Sequence, residues 1–275
     1  MTRASRRRAG LVAGALALPA LHLAPVVTAL PAVRGRWLPG LRGAGPPDRV
    51  ALTFDDGPDP ESTPWFLEVL AEHRVRATFF LLGAMLQRAP ALGREIVAAG
   101  HEVALHGWEH HNLLLRGPVA TVRDLTRARA LIVAVTGRTP RFLRPPYGVL
   151  TGASLFAARR LGLKPVLWSS WGRDWTREAT AESVLDTVRG GLSGGGTILL
   201  HDSSCAAAPG TWRAGLAALP ACWRSATAGL DRGPARRAPG AGGLTPARAM
   251  EVAVGGGGGG LTRPRPDGHG RGSAS

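Results

Sequence analysis

Between Val50 and Ala228, short apolar runs alternate with segments whose apolar residues recur at helical spacing, and no other feature constrains the fold as much. Val50 to Phe54, Ala77 to Leu82, Glu102 to Leu105, Phe142 to Arg144, Pro165 to Ser169 and Thr197 to His201 have the length and composition of buried strands. Between and after them, Glu61 to His73, Ala91 to Ala99, Val119 to Val135, Ser154 to Leu161, Ala181 to Arg189 and Trp212 to Ala228 read as helices. Strict alternation implies a mostly parallel sheet covered by helices, and about six units suit an α/β fold of the incomplete β/α-barrel type. Such folds collect reactive side chains at the carboxyl ends of their strands. Here those ends carry Asp55-Asp56, His106, Arg144, Ser169 to Asp174 and His201-Asp202.

The flanks differ from this middle. The formal charge of +15 divides into +7 for residues 1–49 and +5 for residues 232–275, leaving +3 for the remainder. Basicity therefore belongs to the ends and gives no footprint for nucleic acid on the folded part. Residues 3–8 are rich in Arg and precede a mainly apolar run over residues 9–33, the pattern of an export signal or a membrane anchor. Its prolines, Pro19, Pro25 and Pro31, weaken a straight span, and both readings stay open. Residues 34–49 read as a Gly/Pro/Arg-rich linker, 50–231 as one catalytic domain and 232–275 as a disordered tail. Cys205 and Cys222 either pair, as an exported protein allows, or remain thiols. Export would put the domain outside the cell, secreted or anchored at its membrane, and a monomer is expected.

In Thr53-Phe54-Asp55-Asp56-Gly57-Pro58, two adjacent carboxylates meet a forced turn. Neighbouring strand residues point to opposite faces, so both acids reach one site only where the strand breaks. In His106-Gly107-Trp108-Glu109-His110 the two imidazoles are four apart, which on a helical turn would bring them to one side and let them grip a metal. His111 is the register alternative to His110, and His101 reads as a packing residue. Asp56 would complete a facial set of one carboxylate and two imidazoles.

These two segments, with Arg144-Pro145-Pro146-Tyr147-Gly148, Trp168 to Trp175 and Leu199-Leu200-His201-Asp202, resemble the five ordered motifs of the polysaccharide deacetylases with a NodB homology domain, carbohydrate esterase family 4. The resemblance runs from about Val50 to about Leu230. It implies a distorted, incomplete β/α barrel and hydrolysis of N-acetyl groups on cell-envelope or chitin-like glycans. It implies further that Asp56, His106 and His110 bind a divalent metal, zinc or else cobalt, and that Asp55 is the general base. Arg144 would position Asp55 as a carboxylate, the backbone amide of Tyr147 would face the oxyanion, and His201 would protonate the leaving amine. Trp171 and Trp175 either line the floor of a sugar site, since aromatic faces stack on pyranose rings, or pack in the core, and Leu199 is a further candidate contact. The chain departs from the family pattern at Trp171, where a carboxylate tuning the acid histidine is expected, so that carboxylate is either absent or supplied by Asp174. A silent glycan-binding module, a hydrolase of non-sugar amides and an O-deacetylase are the other readings. The implied partners are an N-acetylated polysaccharide and, if residues 9–33 stay attached, a membrane; no nucleic acid is expected.

Overall fold

The computed structural model describes residues 20–38 and 40–230. Most of the basic and apolar N-terminal run, and the whole segment 232–275 read as a tail, lie outside these residues.

Seven parallel strands form one sheet: β1 (Ala51–Asp55), β2 (Thr78–Leu82), β3 (Glu102–Gly107), β4 (Phe142–Leu143), β5 (Lys164–Pro165), β6 (Ser170–Trp171) and β7 (Thr197–His201). Their order is β5-β4-β3-β2-β1-β7-β6, with every pairing parallel. Consecutive strands β5 and β6 therefore occupy opposite edges, yet only residues 166–169 separate them in the chain. That link spans less than about 20 Å even when extended. The sheet must curl until its edges face one another, which makes it an open barrel.

The run Pro165 to Ser169, expected as one strand, is this link, and two short strands flank it instead. Its ends still bond to the neighbouring strands, Val166 N–H to the Leu143 carbonyl (2.9 Å) and Ser169 N–H to the Thr197 carbonyl (3.1 Å), but between them the Leu167 N–H donates to the Leu41 carbonyl (2.7 Å), outside the sheet, and the Leu167 carbonyl accepts from Arg144 Nη2 (3.0 Å). The stretch expected as a linker is likewise bonded into the structure. Pro31–Trp37 is helical, Thr197 Oγ1 donates to the Gly43 carbonyl (2.8 Å), and the Gly195 N–H donates to the Arg49 carbonyl (2.7 Å). Gly43 has φ +74°, and a Cβ there would overlap the Thr197 hydroxyl, so this close approach requires glycine.

Strand periodicity sorts the core into two sets. Leu52, Phe54, Phe79, Leu81, Val103, Leu105, Leu143, Ile198 and Leu200 belong to the large cluster under the helices. There the Phe54 ring meets Phe66 edge-on at 5.1 Å and Phe79 at 5.0 Å. Each fully buried phenylalanine of this group contributes about 1.5–3 kcal/mol of transfer free energy. The intervening residues point into the barrel, where Phe80, Ala104, Phe142 and Val166 make a second, smaller cluster. Asp55, His106, Arg144, Leu199 and His201 share that inward parity. They therefore meet above the small cluster, at the carboxyl end of the sheet.

Helices Thr63–Glu72, Pro90–Ala98, Pro118–Thr136, Gly152–Arg160, Ala181–Gly191 and Trp212–Leu230 cover the outside, each within two or three residues of its expected position. A further helix, Gly83–Arg88, was not anticipated. It follows β2 without a loop, so its apolar residues read as a continuation of the strand.

Candidate active site

Asp55 ends β1, and its Oδ1 accepts from Arg144 Nη1 at 2.6 Å. The same Nη1 donates to Thr53 Oγ1 (2.9 Å). Arg144 is wholly buried, and its guanidinium lies 4.0 Å from the centre of the Phe80 ring, so the small apolar cluster forms the floor on which the ion pair sits. Burial lowers the pKa of this guanidinium, and the charge and hydrogen bond of Asp55 oppose that shift. Buried charges persist only when paired in this way.

Asp56 turns to the same side because its backbone is left-handed, with φ +80°. A non-glycine residue held there is strained, a condition concentrated at functional sites. The strand break inferred from Gly57 and Pro58 thus begins one residue earlier, at Asp56 itself.

His106 and His110 do meet, but not on a helical turn. His106 lies in β3, and His110 lies in the bend that follows, redirected by Gly107 at φ +128°. The bend is held by Asp124 Oδ2, which accepts the Trp108 N–H at 2.8 Å, and by the Arg116–Asp124 ion pair at 3.2 Å. The imidazole centroids end 5.3 Å apart. His111 faces Glu109 and Arg116 at the surface, outside the cluster. His101 is a packing residue whose Nδ1 accepts the Ala77 N–H at 3.2 Å, and burial lowers its pKa to about 4.

Ligand atoms of Asp56, His106 and His110 lie within 4.8 Å of one another. His106 Nδ1 is 2.8 Å from the Arg144 carbonyl, which can only accept, so the ring proton is on Nδ1 and Nε2 presents a lone pair. That lone pair is 3.3 Å from Asp56 Oδ1, an oxygen without a hydrogen-bond partner, and His110 Nε2 is 3.5 Å from the same atom. Burial opposes charge on Asp56, but the surrounding His106, His201 and His110 hold its pKa at about 2. Burial lowers the His110 pKa to about 4, which keeps that ring neutral near pH 7. Three convergent electron-pair donors fit a divalent cation.

On the far wall His201 ends β7, with Nδ1 2.8 Å from Asp174 Oδ1, while Asp174 Oδ2 accepts the His201 N–H at 2.8 Å. The carboxylate missing at Trp171 is thus supplied by Asp174. Burial lowers the imidazolium pKa, but the charge and hydrogen bond of Asp174, helped by Asp56 and Asp55, more than compensate and raise it to about 9. Asp202, next in the chain, is buried against Thr63, and its pKa rises to about 7.

Asp55, Asp56, His106, His110 and His201 line one cavity of about 210 Å³. Trp168, Trp171 and Trp175 form a row along it, with centroids 5.9 and 5.2 Å apart, and Trp175 stands edge-on to His201. Leu199 and Tyr147 complete the lining, and Tyr147 is left-handed at φ +58°. Trp168 was not among the residues singled out as sugar contacts, although the aromatic clustering over 168–175 held the signal. Cys205 and Cys222 are free thiols, pushed up to about 12 by burial, and neither belongs to this chemistry.

An open α/β barrel with an Asp-His-His cluster able to hold a metal, between an Arg-held aspartate and an Asp-held histidine, fits a hydrolase centre for amides or esters. Residues 42–166 match the polysaccharide deacetylase family pattern. A chitooligosaccharide deacetylase of Sinorhizobium fredii is 44% identical over 161 residues, 58% of this chain and 74% of that protein. The peptidoglycan-N-acetylglucosamine deacetylase PgdA of Listeria monocytogenes is 34% identical over 154 residues, 56% of this chain and 32% of its own length. Among solved structures, the Bc1960 peptidoglycan N-acetylglucosamine deacetylase superposes with a TM-score of 0.63 at 30% identity, covering 70% of this chain and 89% of that one. The chain belongs to the polysaccharide deacetylase family, and its open barrel is the fold of that family.

Proposed function

We propose that the protein removes N-acetyl groups from amino-sugar polymers of the chitin-like or peptidoglycan kind, outside the cytoplasm. The observation that carries this reading is the placement of Asp55 and His201 on opposite sides of the Asp56–His106–His110 cluster in one cavity. Those three residues would hold a divalent metal, zinc or cobalt, which when bound polarises an amide carbonyl and lowers the pKa of water. Asp55, fixed by Arg144, takes the proton from a water as its oxygen attacks the acetyl carbon. The backbone N–H of Tyr147 donates toward the oxygen on which negative charge develops. His201 gives its proton to the sugar nitrogen as the carbon–nitrogen bond breaks, releasing acetate and a free amine. Trp168, Trp171 and Trp175 present faces for the pyranose ring beside the reacting amide, and Leu199 adds an apolar contact.

Residues 1–33 act in this reading as an export signal or anchor, and residues 50–231 as the catalytic domain, working as a monomer. The full chain, supplied with zinc or cobalt, is expected to release acetate from N-acetylglucosamine oligomers and peptidoglycan, and Asp55→Asn to lose 10²–10⁴-fold of that rate, roughly the contribution of a general base. Metal-loaded, folded protein that releases no acetate from either glycan would overturn the proposal.

A further inference from the structure

Residues 20–23 are helical and Ala24–Ala29 form a 3₁₀ helix. Leu21, Ala24, Val27 and Leu30 recur every three residues, the repeat at which 3₁₀ side chains eclipse. All four are exposed, Leu21 by 70%, Val27 by 51% and Leu30 by 56%. The other side of the segment is fixed to the barrel. Arg34, almost fully buried, donates from Nη1 to the carbonyls of Thr28 (3.1 Å) and Ala29 (2.8 Å), and its guanidinium lies 5.5 Å from the Trp168 ring centre.

The apolar stripe continues onto the helix Gly152–Arg160. A Cβ at Gly152 would lie 2.5 Å from the Leu21 carbonyl oxygen, so the backbone of residues 21–22 rests directly on that glycine. Leu155, Phe156, Arg159 and Arg160 follow at the spacings that share the face of Gly152, and all four are exposed. The Arg160 guanidinium is 5.7 Å from the Phe156 ring centre, and Arg36 is 5.0 Å from that of Trp37, which is 71% exposed. No Asp or Glu occurs in residues 1–47 or 149–172.

We infer that this face rests on the surface of a lipid bilayer carrying anionic headgroups. Leu and Val insert among acyl chains, Trp and Phe settle at the boundary, and arginines meet headgroup phosphates. The chain leading into the face has the same character, with Arg3, Arg6, Arg7 and Arg8 followed by a mainly apolar run to Pro19. The segment is apolar along one stripe and fixed to the barrel on the other, the arrangement of an element that lies in the plane of a bilayer surface. A second copy is a poorer occupant, because twofold pairing would set the arginines of one chain against those of the other. A glycan is poorer too, since Leu and Val offer no flat face to a sugar ring. Because Arg34 reaches Trp168 on the cavity wall, contact would hold the cavity beside the lipid surface. The surface assignment stands independently of the reaction in that cavity.

The test is co-sedimentation of the full chain with phosphatidylcholine vesicles, with and without phosphatidylglycerol. The unmutated chain is expected to favour the anionic vesicles. Val27→Glu with Leu30→Glu, and separately Phe156→Glu, are expected to lower the partition coefficient about tenfold or more. Arg159→Gln with Arg160→Gln should abolish the anionic preference. Acetate release from soluble oligomers should be unchanged in all of them, since none of these residues lines the cavity, and a thermal melt checks folding in each. Partition equal to the unmutated chain in every variant would overturn the inference, leaving lipid binding to residues 9–19. A dimer lost in the same variants without lipid binding, or retention on glycan but not on vesicles, would also overturn it.

Discussion

Asp174→Asn isolates what the buried carboxylate does for His201. The replacement has the same shape, which matters because Asp174 is buried and Gly172 and Gly215 pack against it. If its carbonyl oxygen keeps the His201 N–H, the amide NH₂ must face Nδ1, which can then only accept, and the neutral ring is favoured. A hydrogen bond to a charged group contributes about 1.5–3 kcal/mol, and 1.36 kcal/mol corresponds to one pKa unit. The imidazolium is therefore expected to fall from about 9 by about one to two units. His201 works as an acid only when protonated, so the alkaline limb of kcat/KM moves to lower pH by the same amount. At pH 8 the rate falls about two- to tenfold, and at pH 6 by much less. The assay is acetate release from an N-acetylglucosamine oligomer between pH 5 and 10. A uniform loss at all pH values, with the alkaline limb unmoved, would refute the assignment of Asp174 as the group that tunes His201.

The same raised pKa makes folding pH-dependent. A His charged more readily in the folded state contributes stability that is complete below about pH 6.5, its ordinary value, and is lost as pH rises through about 9. The melting temperature of chelator-treated protein should decline across that window, and Asp174→Asn should flatten the decline. Arg144→Met leaves the Asp55 carboxylate buried without its cation and should cost about 3–5 kcal/mol in urea unfolding, and a loss under about 1 kcal/mol would contradict the pairing. His106→Ala removes one of three ligands and should reduce bound zinc from near one per chain to a small fraction by elemental analysis, and unchanged content would refute the cluster as the metal site.

Much of this was legible in the sequence because one physical rule governs both fold and site. Alternation along a strand puts Phe54 under the helices and Asp55 in the barrel, and the same parity carries His106, Arg144 and His201 to one rim. What was not legible depends on backbone geometry outside regular elements. The His106–His110 spacing points to a helix, whereas the rings converge through the left-handed Gly107 and the grip of Asp124 on Trp108, sixteen residues away. Residues 41–49 lack any apolar period, because main-chain hydrogen bonds of Leu41, Gly45 and Arg49, rather than an apolar face, attach the stretch to the 193–197 turn and the 166–169 link. Helix Pro31–Trp37 is held by buried Arg34, whose partners are carbonyl oxygens that no residue pattern encodes.

The seam of the barrel has a consequence for how the protein behaves in a crowd. A sheet that fails to close exposes two lines of unsatisfied main-chain donors and acceptors, the template on which another chain can add a strand and begin to aggregate. Here both lines belong to two-residue strands, Lys164–Pro165 and Ser170–Trp171, and one of them contains a proline with no N–H to offer. The Leu41 carbonyl already occupies the Leu167 N–H between them. An unclosed barrel of this build thus leaves almost no edge to which a misfolded neighbour could attach.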